Sequence, residues 1–263
     1  MLSIPVDDRG LAYGDGVWET LAVKEEIPLL LDEHLTRLQW GVSALRLQGL
    51  DLDSLKQQIL EQCKNIERGV LKLIVTRGSS QRGYNPAGLT TPRIILHMNP
   101  APSYPSTYHD LGIVLGLVTG IRLAYQPFLA GFKHLNRLEQ VLARAECAAE
   151  WQEGLVMDHH HHVIEGTMSN LFIYTQDQVL VTPEVSGCGI AGIMRAQVLK
   201  IAHECGIQCR IQPLFVQDVL NARSVLMTNS VMGLWPVREF KQQHYVIADS
   251  IQILQQQLKP YCL

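Results

Sequence analysis

The hydrophobic period of this chain changes repeatedly between that of a strand and that of a helix, and this alternation restricts the fold more than any other feature. Residues 17–23 and 27–31 are β-rich runs on either side of a polar turn. In residues 33–47 the apolar positions recur every three or four residues, which predicts an amphipathic helix, and residues 52–66 repeat this spacing. The pattern therefore predicts an α+β protein.

A loop rich in proline, serine and tyrosine, residues 100–108, divides the chain into two halves. We predict an N-terminal α+β domain over 1–107, a linker over 108–113 and a C-terminal α+β domain over 114–263. Two such halves that meet across a cleft are a common setting for a ligand site. Further strands are predicted at 69–76, 93–97, 112–118, 155–157, 171–175, 179–181, 207–211 and 225–227, and further helices at 136–151, 193–205 and 249–258.

The composition argues against several classes of function. The 263 residues carry a formal charge of -3, so the chain has no basic field for nucleic acid or anionic lipid. No apolar run approaches the roughly 18 residues of a membrane span, and residues 1–10 lack the apolar core of a signal peptide. None of the six cysteines forms a CxxC pair, and we expect reduced thiols. The sequence predicts a cytoplasmic protein that binds neither nucleic acid nor membrane.

Two titratable residues lie in segments that suit catalysis. Lys133 follows the small, flexible stretch 129–131 and precedes a predicted helix. A lysine in a half-buried cleft loses part of its solvation, so its pKa falls and it can act as a nucleophile or base. Glu165 opens a polar patch between two β-rich segments, where a carboxylate could keep a pyridine nitrogen protonated. Considered singly, each residue is more often an ordinary exposed side chain.

Three further segments could bind a phosphate group. Residues 189–195 place glycines at the start of a helix, where unpaired N–H groups bind anions. Asn229 and Ser230 follow a predicted strand and could add amide and hydroxyl donors. Arg37, on the first helix, could donate two parallel hydrogen bonds. The competing interpretations are an ordinary helix start, a polar strand end and a solvated arginine.

Two polar loops leave their function open. Arg82 and Tyr84 are two positions apart and would point the same way in extended chain, where they could bind a substrate carboxylate together. A plain polar hairpin is the alternative. The four histidines 159–162 have metal-binding side chains. Because they lie in a turn beside a strand, we interpret them as a solvated loop without a physiological metal.

The order of these segments resembles that of the fold-type IV PLP-dependent enzymes. This family includes D-amino-acid and branched-chain aminotransferases and 4-amino-4-deoxychorismate lyases. Residues 8–20, DRGLAYGDGVWET, are similar to the family's opening signature. The HLxRL helix, the RGxxxRGY loop, the lysine segment, the EGTxSNLF segment, the GIMR turn and the TNS strand end then follow in the family's order. The resemblance covers nearly the whole chain and implies a two-domain, D-amino-acid-aminotransferase-like α+β fold with pyridoxal 5'-phosphate (PLP) as cofactor.

The resemblance also implies a role for individual residues. Lys133, expected in the C-terminal domain, matches the lysine that holds PLP covalently, and Glu165 matches the carboxylate partner of the pyridine nitrogen. Thr20 sits where a catalytic hydroxyl near the lysine is expected. The other cofactor-binding positions are Arg37, Ile193, Met194, Asn229 and Ser230 around the phosphate and Ile190 against the ring, and the substrate-facing positions are Trp18, Arg82 and Tyr84.

Within the family, two stretches are most similar to the lyases: HLNRLEQ at 134–140 and RGY at 82–84. This implies a carbon–oxygen lyase that converts 4-amino-4-deoxychorismate to 4-aminobenzoate and pyruvate in folate biosynthesis. An aminotransferase for D-amino acids or branched-chain amino acids is the alternative enzyme, and a PLP-binding protein without catalysis is a third possibility. Family members are usually homodimers, so we expect a homodimer. The chain departs from the family in a short or missing first strand and in the histidine run.

Overall fold

The computed structural model describes residues 3–263 and divides the chain into two compact units. The N-terminal unit holds the chain up to Pro102, the segment Phe132–Arg137 and Leu263, and the C-terminal unit holds Ser103–Gly131 and Leu138–Cys262. The break after Pro102 falls within the predicted loop, but the predicted linker is instead part of the C-terminal unit. The assignment of Lys133 to the C-terminal domain also differs from the structure, because its segment pairs with a strand of the N-terminal unit.

The N-terminal unit is an antiparallel sheet with three helices. In chain order its elements are α1 (Arg9–Tyr13), β1 (Gly16–Lys24), β2 (Ile27–Pro28), α2 (Leu31–Ala44), α3 (Leu52–Cys63), β3 (Arg68–Thr76) and β4 (Arg93–Pro100). The strand order is β2-β1-β3-β4. Because side chains alternate across a strand, Val17 and Leu21 of β1 lie in the core, whereas Trp18 and Thr20 lie on the other face.

The C-terminal unit is built on a mixed sheet. Its elements are α4 (Thr107–Asp110), β5 (Ile113–Leu123), α5 (Leu138–Glu146), β6 (Glu153–Asp158), β7 (Val163–Gly166), β8 (Asn170–Tyr174), β9 (Leu180–Thr182), α6 (Ile193–Glu204), β10 (Cys209–Ile211), α7 (Val216–Leu220), β11 (Ser224–Asn229), β12 (Gly233–Phe240), β13 (Gln243–His244), α8 (Asp249–Leu258) and a 3₁₀ helix (Lys259–Tyr261). The order is β10-β9-β8-β11-β12-β5-β6-β7. Since β7 also pairs with β8, six strands from β8 round to β7 form a closed ring.

Most predicted elements are confirmed, with shifted ends. The helix predicted at 249–258 is α8 over the same residues, and the strands predicted at 155–157, 171–175 and 179–181 belong to the antiparallel series β6 to β9. The helix predicted at 136–151 was too long, since α5 ends at Glu146. The strand predicted at 27–31 ends at Pro28, because Leu30 adopts a left-handed conformation with φ 55° and α2 follows. Among the described residues, no helix has both the length and the apolar character to cross a membrane.

Candidate functional site

The lysine segment lies alongside β1 in the N-terminal unit. Trp18 N donates to the Lys133 carbonyl at 2.9 Å, and Leu135 N donates to Gly16 O at 3.0 Å. The Lys133 ammonium lies 3.6 Å from the centroid of the Trp18 indole, within cation–π range. Strand β1 therefore fixes both the backbone and the amine of Lys133.

His134, directly after the lysine, is held in its neutral form. Burial and the charge of Arg137 lower the pKa of His134 to about 4. Its ring packs edge-on against Phe132, with 5.7 Å between the ring centroids. Near neutral pH this imidazole adds no positive charge beside the Lys133 ammonium.

A second ammonium group lies on the same face of the sheet. Lys72 of β3 pairs with Thr20 of β1, and its Nζ lies 5.0 Å from the centroid of the Trp18 ring. The structure thus brings together Trp18, Thr20 and two lysines. Sequence analysis missed Lys72, although a charged residue inside the apolar run of β3 is a signal that could have found it.

The opposite face of β1 carries a buried ionic cluster formed with α2. Glu19 Oε1 accepts from Arg37 Nε at 2.8 Å, Glu19 Oε2 accepts from Arg37 Nη2, and His34 Nδ1 lies 2.7 Å from Oε2. Burial opposes the ionisation of Glu19, but the charge of Arg37 and the hydrogen bonds from Arg37 and His34 lower its pKa to about 2. The Nε–Nη2 edge of the predicted phosphate-binding arginine is therefore held by Glu19, a residue that sequence analysis did not select.

The loop that carries Arg82 and Tyr84 differs from its predicted shape. The chain bends through residues 81–84, and Gly83 has a φ of 104°. The expectation that Arg82 and Tyr84 point the same way because the chain is extended was therefore wrong. Tyr84 is 82% exposed and its ring centroid lies 5.2 Å from that of Tyr13.

In the C-terminal unit, a hydrogen bond joins the side chain of Glu165 to the backbone of Ile190. Glu165 lies in β7 and is buried, and its Oε2 accepts from Ile190 N at 2.9 Å. Asn170, paired with Glu165 across the strands, donates from Nδ2 to Ile190 O at 2.8 Å. Both polar backbone groups of Ile190 are thus held by side chains. A Cβ on Gly192 would lie 1.9 Å from Asn170 Oδ1, which explains why this turn needs a glycine.

Ile193 and Met194 form the beginning of α6, and Gly192 is its N-cap. The first bond of the helix runs from Ala196 N to Gly192 O, so the preceding N–H groups lie outside the helical hydrogen-bond pattern. Gly192 has no side chain to cap them. A helix start of this kind suits an anion, because the N–H groups and the helix dipole both favour negative charge.

Asn229 and Ser230 lie at the end of β11. The Asn229 amide shapes the turn that follows, since its Oδ1 accepts from Val231 N and Met232 N, both at 2.9 Å. Its Nδ2 donates to Met168 O at 3.1 Å. The amide of Asn229 is therefore used inside the C-terminal unit, and the Ser230 hydroxyl is the better donor for a phosphate at this strand end.

A buried carboxylate that sequence analysis missed organises the turn after Glu165. Glu153, at the start of β6, is fully buried. It accepts hydrogen bonds from the hydroxyls of Thr167 and Ser169, both at 2.5 Å, and from the backbone N–H groups of Gly154, Thr167 and Met168. The threonine and serine of the EGTxSN segment thus bind Glu153. They keep the turn between β7 and β8 in place.

The histidine run forms an exposed turn around Asp158. Asp158 Oδ1 accepts from His160 N at 2.9 Å and His162 N at 2.8 Å, and Oδ2 lies 3.1 Å from His162 Nδ1. Across residues 3–263, no three His, Cys, Asp or Glu side chains are grouped as a metal site. The structure gives this run a local role in ending β6.

These two units define the class of protein. The fold is that of the fold-type IV enzymes: branched-chain aminotransferase from Escherichia coli superposes with a TM-score of 0.85 at 24% identity, over 99% of this chain and 90% of that one. The family model for class IV aminotransferases matches residues 16–240. The chain therefore belongs to the class IV aminotransferase family.

The relatives of this chain include proteins named as lyases and proteins named as aminotransferases. An aminodeoxychorismate lyase from Vibrio harveyi is 33% identical over 235 residues, which is 89% of this chain and 86% of the relative. A crystal structure of 4-amino-4-deoxychorismate lyase from Pseudomonas aeruginosa has a TM-score of 0.94 and 44% identity, covering 99% of this chain and 96% of that one. A putative branched-chain-amino-acid aminotransferase from Methanocaldococcus jannaschii is 31% identical over 90% of this chain and 82% of the relative.

The residues present fit PLP, the cofactor that this family implies. Lys133 provides a primary amine on a fixed segment, and Glu165 provides a buried carboxylate for a pyridine nitrogen. The start of α6 provides uncapped N–H groups for a phosphate. Gly189, with φ 81°, and Gly192 leave no room for a side chain beside Glu165 and Asn170. This donor set matches the three polar parts of the cofactor: aldehyde, ring nitrogen and phosphate.

Proposed function

We propose that this protein is a PLP-dependent carbon–oxygen lyase that converts 4-amino-4-deoxychorismate to 4-aminobenzoate and pyruvate in folate biosynthesis. The observation that carries this proposal is the 44% identity to the Pseudomonas aeruginosa lyase over 99% of this chain. The 31% identity to a putative aminotransferase supports a shared fold and makes transamination the alternative.

In the proposed site, each end of the cofactor has its own residues. Lys133 would hold the aldehyde carbon, and Glu165 would pair with the ring nitrogen. The N–H groups of Ile193 and Met194, with the Ser230 hydroxyl and Arg37, would bind the phosphate, and Ile190 would pack against the ring. When bound, PLP supplies an electron sink that stabilises negative charge on the carbon next to the substrate's nitrogen.

The proton transfers fall to Lys133 and Thr20. Lys133 would be released when the amino group of the substrate takes its place on the cofactor. The freed Lys133 amine then removes the proton from C4 of the substrate, and the C3–O bond to the enolpyruvyl group breaks with its electron pair leaving on the oxygen. Aromatisation of the ring favours this step. The proton returns from Lys133, assisted by the Thr20 hydroxyl, to the methylene carbon of the leaving enol, which becomes pyruvate. The neutral ring of His134, whose pKa is lowered to about 4, adds no positive charge beside the Lys133 amine.

Substrate binding uses the charged groups of the N-terminal unit. The substrate carries two carboxylates, which need cationic partners. Lys72 lies beside Trp18 on the face that holds Lys133 and supplies one of them. Arg82 supplies the second, and the exposed Tyr84 is a further hydrogen-bond donor on the same loop. The indole of Trp18 provides the apolar surface for the substrate ring.

The proposed enzyme is a cytoplasmic homodimer. All six cysteines are free thiols, in keeping with a reducing compartment. The proposal of a dimer is supported by the surface of helix α5. On one side of this helix, Leu138, Val141 and Leu142 are each more than half exposed. An exposed apolar stripe of this kind is typical of a protein interface. We expect Val141→Glu to shift the mass measured by light scattering from dimer to monomer; an unchanged mass would place the interface elsewhere.

The test of the activity is direct. The purified protein is incubated with PLP and 4-amino-4-deoxychorismate, and 4-aminobenzoate is followed by fluorescence while pyruvate is measured in parallel. Equal amounts of the two products, absent in Lys133→Ala, are expected. A preparation that shows the visible absorbance of lysine-bound PLP but forms no product would overturn the lyase assignment. Formation of a keto acid from an amino donor would then establish the aminotransferase.

A further inference from the structure

We propose that Arg9 is a positioning residue that holds the substrate loop, residues 79–84, in the conformation that binds the substrate. This inference rests on the proposed function, which places Arg82 and Tyr84 of this loop at the substrate carboxylate. It assigns a role to the buried arginine of the DRG segment, which lies outside the set of residues proposed for cofactor and substrate.

The guanidinium of Arg9 binds the backbone of the loop directly. Nη1 donates to Gly83 O at 3.0 Å and Nη2 donates to Tyr84 O at 2.9 Å. Nη1 also donates to Ser80 Oγ at 3.2 Å. Two adjacent carbonyl groups at the tip of the loop are thus fixed by one planar group. Their peptide units follow Gly83 and flank Tyr84, so the contacts restrict the backbone just after Arg82 and, through it, the direction of the Arg82 side chain.

The other edge of Arg9 is anchored in the N-terminal unit. Asp15 Oδ2 accepts from Arg9 Nε and from Arg77 Nε, both at 2.8 Å, and Arg77 Nη2 donates to Asp15 Oδ1. Burial opposes the ionisation of Asp15, but the hydrogen bonds and charges of Arg77 and Arg9 outweigh it and hold the pKa of Asp15 below its ordinary value. Arg77 in turn donates to the carbonyls of Leu45 and Arg46 at the end of α2. Asp15, Arg77 and the end of α2 therefore anchor the Arg9 guanidinium in the N-terminal unit.

The loop has little packing of its own. Residues 81–88 are exposed, and a Cβ placed on Gly83 or Gly88 would meet no described atom within 4 Å. The contact of Tyr84 with Tyr13 is itself tied to Arg9, whose Cζ lies 5.0 Å from the Tyr13 ring centroid. Since exposed loops without packing open easily, hydrogen bonds from Arg9 are the main interaction available to order the tip.

A purely structural role for Arg9 predicts a different outcome. Arg77 already binds Asp15 through two nitrogen atoms, so Arg9 is not needed to neutralise the carboxylate. Replacement by an uncharged residue leaves the Asp15–Arg77 pair intact. The positioning role therefore predicts loss of substrate affinity in a folded enzyme that still binds PLP normally.

The experiment compares Arg9→Gln with Arg93→Gln. Arg93 is a matched control because it binds Asp8 and Ser79 in the same region but does not contact the carbonyls of Gly83 and Tyr84. For Arg9→Gln we expect KM for 4-amino-4-deoxychorismate to rise about tenfold, with kcat changed less than about threefold and PLP affinity unchanged. Trypsin cleavage after Arg82 should become about tenfold faster in Arg9→Gln and stay near the wild-type rate in Arg93→Gln.

Two further variants keep the test decisive. Arg9→Lys retains the charge but loses the planar fork, so its KM and cleavage rate should lie between those of wild type and Arg9→Gln. It also serves if Arg9→Gln does not fold. If Arg9 acts through Arg82, the double variant Arg9→Gln/Arg82→Gln should have the same KM as Arg82→Gln alone.

The outcomes separate the two proposals. An unchanged KM in Arg9→Gln, or a fall in PLP affinity as large as the rise in KM, would overturn the positioning role. Equal cleavage rates after Arg82 in Arg9→Gln and wild type would also overturn it. Absence of lyase activity in the wild-type enzyme would refute the proposed function alone. Trypsin cleavage after Arg82 reports how firmly Arg9 holds the loop, and it needs no substrate.

Discussion

The two units hold their functional residues with different chemistry. The N-terminal unit pairs its buried or largely buried carboxylates with arginines: Glu19 with Arg37, Asp15 with Arg9 and Arg77, and Asp8 with Arg93. In the C-terminal unit, two buried charged side chains have neutral hydrogen-bond partners instead. Glu153 is held by hydroxyl and backbone groups, and Arg195, whose pKa is lowered by burial, donates to Thr182 Oγ1 and Pro183 O.

This difference follows what each unit is proposed to bind. In the proposed site the N-terminal unit faces carboxylates and moves protons, so it needs cations, and its buried arginines have carboxylate partners that offset their desolvation. The C-terminal unit presents a carboxylate and helix N–H groups to a fixed cofactor, and neutral hydrogen bonds are sufficient to hold these in place. The first unit is therefore the one whose stability should respond to pH through its ion pairs.

The largest expected effect tests whether the chemistry resides in the N-terminal unit. Lys133→Ala should lower turnover by roughly 10⁴-fold or more, because it removes the group proposed to transfer the proton. Lys72→Ala, which removes the other ammonium near Trp18, should mainly raise KM. Steady-state kinetics with 4-amino-4-deoxychorismate would measure both. Near-normal turnover in Lys133→Ala would contradict the assignment.

The next effect tests how much the ion pairs of the N-terminal unit stabilise the fold. Glu19→Gln leaves Arg37 without its buried carboxylate and should lower the free energy of unfolding by roughly 3–5 kcal/mol at pH 7. Because the pKa of Glu19 is lowered from 4.5 to about 2 in the folded protein, its stabilisation is complete above about pH 4.5 and is lost as pH falls towards 2. Urea denaturation at several pH values should therefore show the two proteins converging in acid.

Glu61→Gln is the control for that experiment, since Glu61 is an exposed residue whose ion pair with Lys64 lies at the surface. It should leave the free energy of unfolding nearly unchanged, because exposed ion pairs contribute little. A constant difference between Glu19→Gln and wild type from pH 7 to pH 2 would mean that the charge of Glu19 does not stabilise the fold.

A smaller effect tests the hydrogen bonds from neutral groups that hold Glu153 in the C-terminal unit. Thr167→Val removes one hydroxyl donor from the fully buried Glu153 and should cost about 1.5–3 kcal/mol of stability. Thr167→Ser keeps the hydroxyl and should recover most of this loss. Chemical denaturation of the two variants is the measurement. Equal destabilisation by valine and serine would show that the methyl group, not the hydrogen bond, matters.

The smallest effect concerns the helix start. Gly192→Ala places a Cβ against Asn170 and should weaken PLP binding about tenfold by shifting the first turn of α6. Binding of pyridoxal, which has no phosphate, should change less. Gly206→Ala, just beyond the other end of the same helix, is the control: its Cβ would meet no described atom within 4 Å, and the strain of alanine at a φ of 71° should lower stability but leave PLP affinity unchanged. Equal PLP affinities in Gly192→Ala and Gly206→Ala would contradict a phosphate role for this turn.

Sequence reasoning predicted the local elements better than their partners. Helix α8 and the start of α6 follow from apolar periodicity, which is a local property of the chain. The pairing of the lysine segment with β1 joins residues 116 positions apart, such as Trp18 and His134, and no local pattern encodes it. The domain assignment of Lys133 differed from the structure for this reason.

The candidate site residues show the same difference between local motifs and long-range contacts. The segments around Lys133, Glu165 and Gly192 could be selected from sequence because their motifs are contiguous. Glu153, Lys72 and Arg9 were not selected as site residues, since each acts on a motif elsewhere in the chain. The bend at Gly83 was missed because its positive φ reflects the hold of a distant arginine on the loop as well as the freedom of glycine.

The return of Phe132–Arg137 to the N-terminal unit has a consequence for dividing this polypeptide. A fragment that ends at Pro102 would lack Lys133, the proposed reactive amine, and a fragment that begins at Ser103 would carry it without the strand that orients it. Neither piece is a self-sufficient module that a fusion or a recombination event could transfer alone. Activity from separately produced halves would require complementation, with the lysine donated in trans to β1.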